Sequence, residues 1–146
     1  IGIFNKPDLG YVRCVRELPV LGNDLKDNGN GTVTDLATGL TWQRQDDDTQ
    51  RAWDAANTYC QNLPLGGKTD WRLPNIKELQ SIVDERVSAP TIDAGAFPGS
   101  TSSLYWSATH YTSNSTDAWV VDFWNGRVRF EDKLNPYFVR CVRSGQ

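Results

Sequence analysis

The pentapeptide Val139-Arg140-Cys141-Val142-Arg143 closes this chain, and the same five residue types occur earlier at positions 12–16. Self-similarity at a fixed period is typical of an array of repeated modules. We therefore predict that residues 1–20 are the tail of a preceding tandem module plus a linker. Residues 21–146 are predicted to form one complete module, with a tandem neighbour in the parent chain.

Composition excludes some classes of protein. The chain has 146 residues, enough for one domain with a single core. Its formal net charge is −3 and its pI is near 5.0, whereas general nucleic-acid binding requires a strongly basic surface. No apolar run approaches the roughly 20 residues of a membrane-spanning helix. We expect neither nucleic-acid binding nor direct membrane insertion.

The chain contains three cysteines, Cys14, Cys60 and Cys141. An odd number usually leaves a free thiol or a partner outside the fragment. If Cys14 belongs to the preceding module, Cys60 and Cys141 remain as a pair, which favours an oxidising compartment. Cys14 is then unpaired or paired between chains. The alternative is three reduced, buried cysteines in a cytosolic protein.

The first half of the module is predicted to contain a hairpin followed by a helix. Residues 17–31 are rich in Gly, Asn, Asp and Pro and indicate a linker and turn. Two β-prone runs, 32–35 and 40–43, flank a turn signal and predict the hairpin. The acids at 46–48 are N-cap candidates for the helix that follows, and Cys60 lies on its apolar face.

The second half is predicted to begin with another helix and end in strands. Asn75 and Glu78 form a capping box at the start of that helix. Residues 88–103 form a long loop, and the predicted strands are 104–108, 118–124, 127–131 and 137–143. We therefore predict an α+β fold in which two helices pack on short antiparallel sheets with long loops.

Asn125-Gly126 between two alternating runs is the strongest short-range hairpin signal that a sequence offers. A two-residue turn places Trp124 opposite Arg127 and Phe123 opposite Val128. Alternation then gives an apolar face, predicted to be core, of Trp119, Val121, Phe123, Val128 and Phe130. The opposite face carries Val120, Asp122, Trp124, Arg127, Arg129 and Glu131.

This second face is the candidate ligand site. A Trp stacks on planar or sugar rings, and Arg binds anions through paired hydrogen bonds. The predicted ligand-binding residues are Trp124, Arg127, Arg129, Asp122 and Glu131, with the loop residues His110 and Tyr111. The alternative is a solvated face on which Trp124 covers Arg127 and Asp122 bridges Arg129, each pair contributing about 0.2–1 kcal/mol.

No motif in the sequence carries a catalytic or metal-binding mechanism. The run at 27–31 does not match the calcium-binding loop of an EF-hand. That loop has an acidic or amide side chain at every second position, and Gly29 occupies one of these positions. The acids at 46–48 are ordinary partners of a helix dipole. One histidine and no closely spaced cysteine pair exclude the zinc patterns. We expect no catalytic residues, no metal and no cofactor.

Several motifs, occurring in one order between about residue 27 and the end of the chain, resemble the collagen-like-adhesin C-terminal domain family (Lcl_C). They are Asp27-Asn28-Gly29, Thr38-Gly39-Leu40, Trp42-Gln43, Asp70-Trp71-Arg72-Leu73-Pro74-Asn75, Tyr105-Trp106-Ser107 and the closing pentapeptide. The chain is also similar to the wider C-type-lectin-like superfamily, which includes the formylglycine-generating-enzyme branch.

The resemblance implies a C-type-lectin-like fold with a Cys60–Cys141 disulfide and a ligand surface on the final strands. Family members are largely bacterial or phage surface and secreted proteins implicated in adhesion, and some bind sulfated polysaccharides. The implied ligand is a protein or a polysaccharide, sulfated glycans included, and the implied location is extracellular or the cell surface. The calcium-sugar motifs of animal lectins are absent, since Gly126 follows Trp124-Asn125.

Some domains of the superfamily are variable receptors diversified by retroelements. A reverse transcriptase gene beside a near-copy of the codons for residues 105–143 would identify this chain as such a variable protein.

The leading hypothesis for function is a non-enzymatic, extracellular recognition and adhesion module. One alternative is an enzyme of the formylglycine-generating branch, which works through a pair of active-site cysteines. A second alternative is a purely architectural repeat of a surface array, and it predicts a late-strand face whose charges are all paired.

Overall fold

The computed structural model describes residues 24–144 as two helices and two small antiparallel sheets. The elements are β1 (Leu25–Asp27), β2 (Thr32–Asp35), β3 (Thr41–Gln43), α1 (Trp53–Gln61), α2 (Ile76–Gln80), β4 (Leu104–His110), β5 (Asp117–Asp122), β6 (Arg127–Asp132) and β7 (Val142–Arg143). This architecture confirms the predicted α+β class. The predicted tail at 1–20 and Cys14 lie outside the described residues. Over residues 24–144, no helix has the length and apolar character needed to cross a membrane.

The first sheet ties the start of the described chain to its end, with strand order β1-β2-β3-β7. The prediction of a linker at 17–31 is wrong for residues 25–27, which form β1. Lys26 lies opposite Thr34, so β1 extends the sheet by one strand. The hairpin predicted between β2 and β3 is confirmed. Gly39 lies in its turn at φ 77, a left-handed conformation that glycine adopts without steric cost.

The second sheet, β4-β5-β6, carries the predicted Asn125-Gly126 hairpin in a register shifted by two residues. Asp122 lies opposite Arg127, so residues 123–126 connect the strands instead of a two-residue turn. The Asp122 carboxylate accepts the Trp124 N–H at 2.9 Å. Its carbonyl accepts the Gly126 N–H at 2.7 Å. Hydrogen bonds to a single aspartate thus close the longer connection.

Phe123 explains why the predicted register is wrong. Its N–H donates to the Ser103 carbonyl and its own carbonyl accepts the Thr91 N–H, both at 2.8 Å. Its buried ring makes an edge contact with Tyr105 at 5.2 Å between centroids. A residue whose backbone is held by two other segments is not available to pair with Val128 as predicted.

The predicted core face of this hairpin is buried only on β5 and at the turn. Val121 and Phe123 are 0% and 1% exposed, as predicted. The prediction is wrong for Val128 and Phe130, which are 36% and 41% exposed. Both belong to β6, which is an edge strand of the sheet among residues 24–144. Trp119, on the central strand, is half-buried.

Helix α1 begins later than predicted, at Trp53, and no side chain caps it. The acids at 46–48 therefore do not cap it. Asp47 forms an ion pair with Arg51 at 2.6 Å, and the hydrogen bond from the guanidinium holds the pKa of Asp47 below its ordinary value. Asp46 is buried in the core instead.

Helix α2 confirms the predicted capping box. The Asn75 side chain accepts the Glu78 N–H and the Glu78 carboxylate accepts the Asn75 N–H, both at 2.8 Å. Glu78 also accepts two hydrogen bonds from the Arg72 guanidinium, at 2.8 and 2.9 Å, and these lower the pKa of Glu78. The backbone of Arg72 exchanges two 2.9 Å hydrogen bonds with Val142. The start of α2 is thereby attached to β7.

The implied disulfide is confirmed. Cys60 on α1 is bonded to Cys141, which precedes β7, across 81 residues of chain and with 5.5 Å between the Cα atoms. It lies in one of two apolar clusters, whose other buried members are Ala56, Trp71, Leu73, Leu104, Trp106, Ala118, Val120 and Val139. The second cluster, around Trp42, Tyr105 and Phe123, lies under the opposite face of the second sheet.

Arg140, next to the disulfide, is the most deeply buried charge of the described chain, at 1% exposure. Its guanidinium donates to the carbonyls of Gln43 at 2.8 Å and Arg44 at 2.7 Å, to the Ser100 hydroxyl at 2.6 Å and to the Asp46 carboxylate at 3.3 Å. These acceptors belong to two segments far from Arg140 in sequence. The charge is therefore compensated only when both segments and the closing segment are in place.

Tyr105 completes this buried polar cluster. Its hydroxyl donates to the Asp46 carboxylate, and burial raises the pKa of Tyr105 to about 12, so the donor proton is retained at neutral pH. Burial lowers the pKa of Arg140. The guanidinium lies 4.8 Å from the centroid of the Phe97 ring, a cation–π contact.

We predict that replacing both disulfide cysteines, Cys60→Ala with Cys141→Ala, lowers the free energy of unfolding by about 4 kcal/mol, because the crosslink closes a long loop. Equilibrium urea unfolding followed by tryptophan fluorescence measures the loss. Cys14→Ser is the matched control and should leave the midpoint unchanged. Equal midpoints for the double variant and the intact chain would show that the crosslink does not constrain the unfolded state.

We predict that Asp46→Ala lowers the free energy of unfolding by about 3–5 kcal/mol, because it leaves the Arg140 charge buried without its anion. Asp47→Ala removes a neighbouring but more exposed ion pair and should lose at most about 1 kcal/mol. Urea unfolding of the two variants side by side distinguishes them. Similar losses of unfolding free energy in the two variants would contradict a special contribution of the buried polar cluster around Arg140.

Candidate functional site

The structure places the seven predicted ligand-binding residues in three regions of the second sheet. Trp124 lies in the hairpin turn between β5 and β6. Asp122, Arg127, Arg129 and Glu131 lie along one face of the hairpin. His110 and Tyr111 lie at the opposite end of the sheet, because Leu104 pairs with Asp122 near the turn and His110 pairs with Ala118 at the far end.

The turn forms one wall of an open cleft. Trp124 is 63% exposed, an unusual position for the largest apolar side chain. Glu85 lines two neighbouring pockets, with volumes of about 380 Å³ and about 530 Å³. Trp124 borders the larger of the two, which is also lined by Glu85, Val87, Ser88, Thr91 and Asn125. We call this pocket the Trp124 cleft.

The two walls of the Trp124 cleft are fixed to each other. The Thr91 N–H and hydroxyl both donate to the Phe123 carbonyl, at 2.8 and 3.1 Å. The Asp84 N–H donates to the Thr91 carbonyl at 2.9 Å. Gly126 passes so close to the loop that a Cβ there would lie 3.0 Å from the Val83 side chain. The turn and the loop thus form a preorganised pair of walls, which lowers the entropic cost of binding.

Asp84 also determines the charge beside the cleft. Its carboxylate accepts hydrogen bonds from the Arg86 Nε and Nη2 atoms, both at 2.9 Å. These bonds keep the pKa of Asp84 below its ordinary value. Arg86 is thereby paired, whereas Glu85 is exposed and lines both the Trp124 cleft and the neighbouring pocket.

On the strand face, Arg129 lies between two carboxylates. Its guanidinium is 3.6 Å from Asp122 and 2.9 Å from Glu131. Glu131 also accepts the Tyr137 hydroxyl at 2.9 Å, and burial together with this bond raises the pKa of Tyr137. Arg127 is exposed and makes no ion pair within residues 24–144. The face therefore combines a paired cation with an unpaired one.

Asp122 has a positioning role. It is only 8% exposed, and its carboxylate is occupied by the Trp124 N–H and by Arg129. It holds the turn residue and the strand cation in place, and little of its surface is open to a ligand.

The far end of the sheet is a separate region. His110 Nδ1 is 2.7 Å from Lys133 Nζ, and the His110 ring packs on Trp53 at 5.1 Å between centroids. Tyr111 lies on the other face, stacked on Phe130 at 4.0 Å and in edge contact with Trp119 at 5.5 Å. His110 and Tyr111 therefore do not join the Trp124 cleft.

Sequence reasoning missed the loop wall of the cleft. Glu85 and Val87 precede the long loop predicted at 88–103, and no local pattern marks them as a site. The one available signal was Gly126, since a glycine in a turn permits the close approach of another segment. Residues 24–144 contain no group of three or more His, Cys, Asp or Glu side chains placed to hold a metal ion.

Comparison with known proteins agrees with the architecture. The family model of the Lcl C-terminal domain matches residues 31–143, which include both helices, the disulfide and the Trp124 cleft. No curated protein matches this chain. Because the family model covers most of the chain, from β2 to the closing strand, the chain belongs to the Lcl C-terminal domain family and is a surface- or adhesion-associated module.

Proposed function

We propose that this chain is a non-enzymatic recognition module that binds a protein or glycan ligand at the Trp124 cleft and the adjoining strand face. The observation that carries the proposal is the 63% exposure of Trp124 on a rigidly attached turn. The stability of the fold does not account for this exposure, whereas an exposed aromatic side chain beside polar groups is typical of binding sites.

The charges of the strand face support recognition over a purely architectural role. An architectural repeat predicts that every charge on the face is paired. Arg129 is paired with Asp122 and Glu131, but Arg127 is exposed and has no ion pair in the described part of the chain. A free guanidinium on the strand face and an exposed Trp on the adjoining turn offer a ligand both charge and stacking surface.

The cysteines support a non-enzymatic role. An enzyme of the formylglycine-generating branch requires two active-site cysteines. Cys60 and Cys141 are bonded to each other and are 0% exposed, so neither is available as a nucleophile. The family and the disulfide together indicate an extracellular or surface domain.

The test is to replace Trp124 and Arg129 separately by Ala and to measure adhesion and binding to arrays of glycans and matrix proteins. We expect Trp124→Ala to weaken binding by at least about tenfold, because loss of a central aromatic contact costs about 2 kcal/mol or more and tenfold corresponds to about 1.4 kcal/mol. Arg129→Ala should also weaken binding, because it removes a guanidinium that can donate hydrogen bonds from the strand face.

Leu36→Ala is the matched control, since Leu36 is also 63% exposed but lies in the β2–β3 turn. Circular dichroism and urea midpoints confirm that each variant folds. Binding unchanged in both Trp124→Ala and Arg129→Ala would contradict the proposed site.

A further inference from the structure

We propose that the Trp124 cleft binds an uncharged, hydroxyl-rich sugar ring and not a sulfated or carboxylated one. This inference rests on the proposed function, because it specifies the ligand class of the same site. It follows from the three kinds of group that line the cleft.

The apolar groups of the cleft suit the C–H face of a pyranose ring. Trp124 and Val87 are 63% and 44% exposed and border the same cleft. The C–H bonds on one side of a sugar ring form a flat apolar patch, and an indole face is attracted to such weakly positive hydrogens through its quadrupole. Burying both surfaces together removes apolar area from water.

The polar groups suit hydroxyls. Glu85 supplies an exposed carboxylate, which accepts hydrogen bonds from sugar hydroxyls, and Ser88 supplies a hydroxyl that donates or accepts. Asn125 Oδ1 already accepts the Arg127 N–H at 3.0 Å. Its N–H₂ group is left as a donor. Acceptor and donor groups are thus both present beside the stacking surface, as hydroxyl recognition requires.

The charges disfavour an anionic ligand. No Lys or Arg lines the cleft among the described residues, and Glu85 contributes a negative charge. Arg86 is held by two hydrogen bonds to Asp84. A sulfate group in this cleft would therefore face a carboxylate without the cationic donors that normally bind it. A neutral ring meets no such repulsion.

The experiment measures binding of the full chain to an array that pairs each neutral oligosaccharide with its sulfated form, at low and high salt. We expect the neutral members to bind, with little change between about 50 and 500 mM salt. Trp124→Ala should weaken this binding by at least about tenfold and Glu85→Ala by about three- to tenfold.

A charge-reversal variant tests the electrostatic argument. Glu85→Lys should lose binding to neutral glycans and gain binding to sulfated ones, because it places a cation beside Trp124. Asp54→Lys makes the same change in net charge on α1 and is the matched control. It should change binding neither to the neutral glycans nor to the sulfated ones. Urea midpoints of both variants establish that they fold.

The outcomes separate this inference from the proposed function. If the sulfated glycans bind more tightly than the neutral ones and Trp124→Ala abolishes this binding, the proposal of a neutral sugar ligand is overturned. The proposed recognition site then still stands. A protein ligand sensitive to Trp124→Ala, with no glycan bound, would overturn the sugar class in the same way. Binding insensitive to Trp124→Ala would overturn both.

Discussion

The buried guanidinium of Arg140 is the interaction on which the rest of this fold depends. A charge at 1% exposure is tolerated only when its hydrogen-bond donors are satisfied, and the acceptors belong to the segment before α1 and the loop before β4. The closing segment therefore positions two distant segments when it docks. The adjacent disulfide from Cys141 to Cys60 makes that docking covalent. A single pentapeptide thus supplies the buried ion, the crosslink and the last strand.

The position of the candidate site follows from this closure. Phe138, just before the pentapeptide, packs against Tyr105 at 5.5 Å, and Tyr105 contacts Phe123 at 5.2 Å between ring centroids. The backbone of Phe123 then binds Thr91 and fixes the turn against the loop. Trp124 is exposed because its neighbour Phe123 fills the core. The ligand surface is therefore held by core packing and not by the flexibility of a loop, as a preorganised recognition site requires.

Local chemistry predicted the parts of the structure that depend on neighbours in sequence. The capping box at Asn75 and the β2–β3 hairpin each need only a few adjacent residues, and both are confirmed. The disulfide followed from the repeated pentapeptide and the family resemblance. The hairpin register was wrong because Thr91, 32 residues away, binds Phe123. The predicted start of α1 was wrong because the backbone of Arg51 pairs with that of Tyr137, 86 residues away, and is not available to the helix. The loop wall of the cleft has no local signature at all.

Sugar binding at the Trp124 cleft is tested most directly by the indole N–H region of the ¹H–¹⁵N spectrum during titration with a neutral oligosaccharide that binds the chain. The chain contains six tryptophans. The indoles of Trp53, Trp71 and Trp106 donate to backbone carbonyls and serve as internal references, and Trp124→Ala assigns the exposed resonance. If the sugar ring stacks on Trp124, the Trp124 resonance shifts and saturates with the ligand while those three stay in place. A saturating ligand that leaves the Trp124 resonance unchanged would contradict binding at the Trp124 cleft.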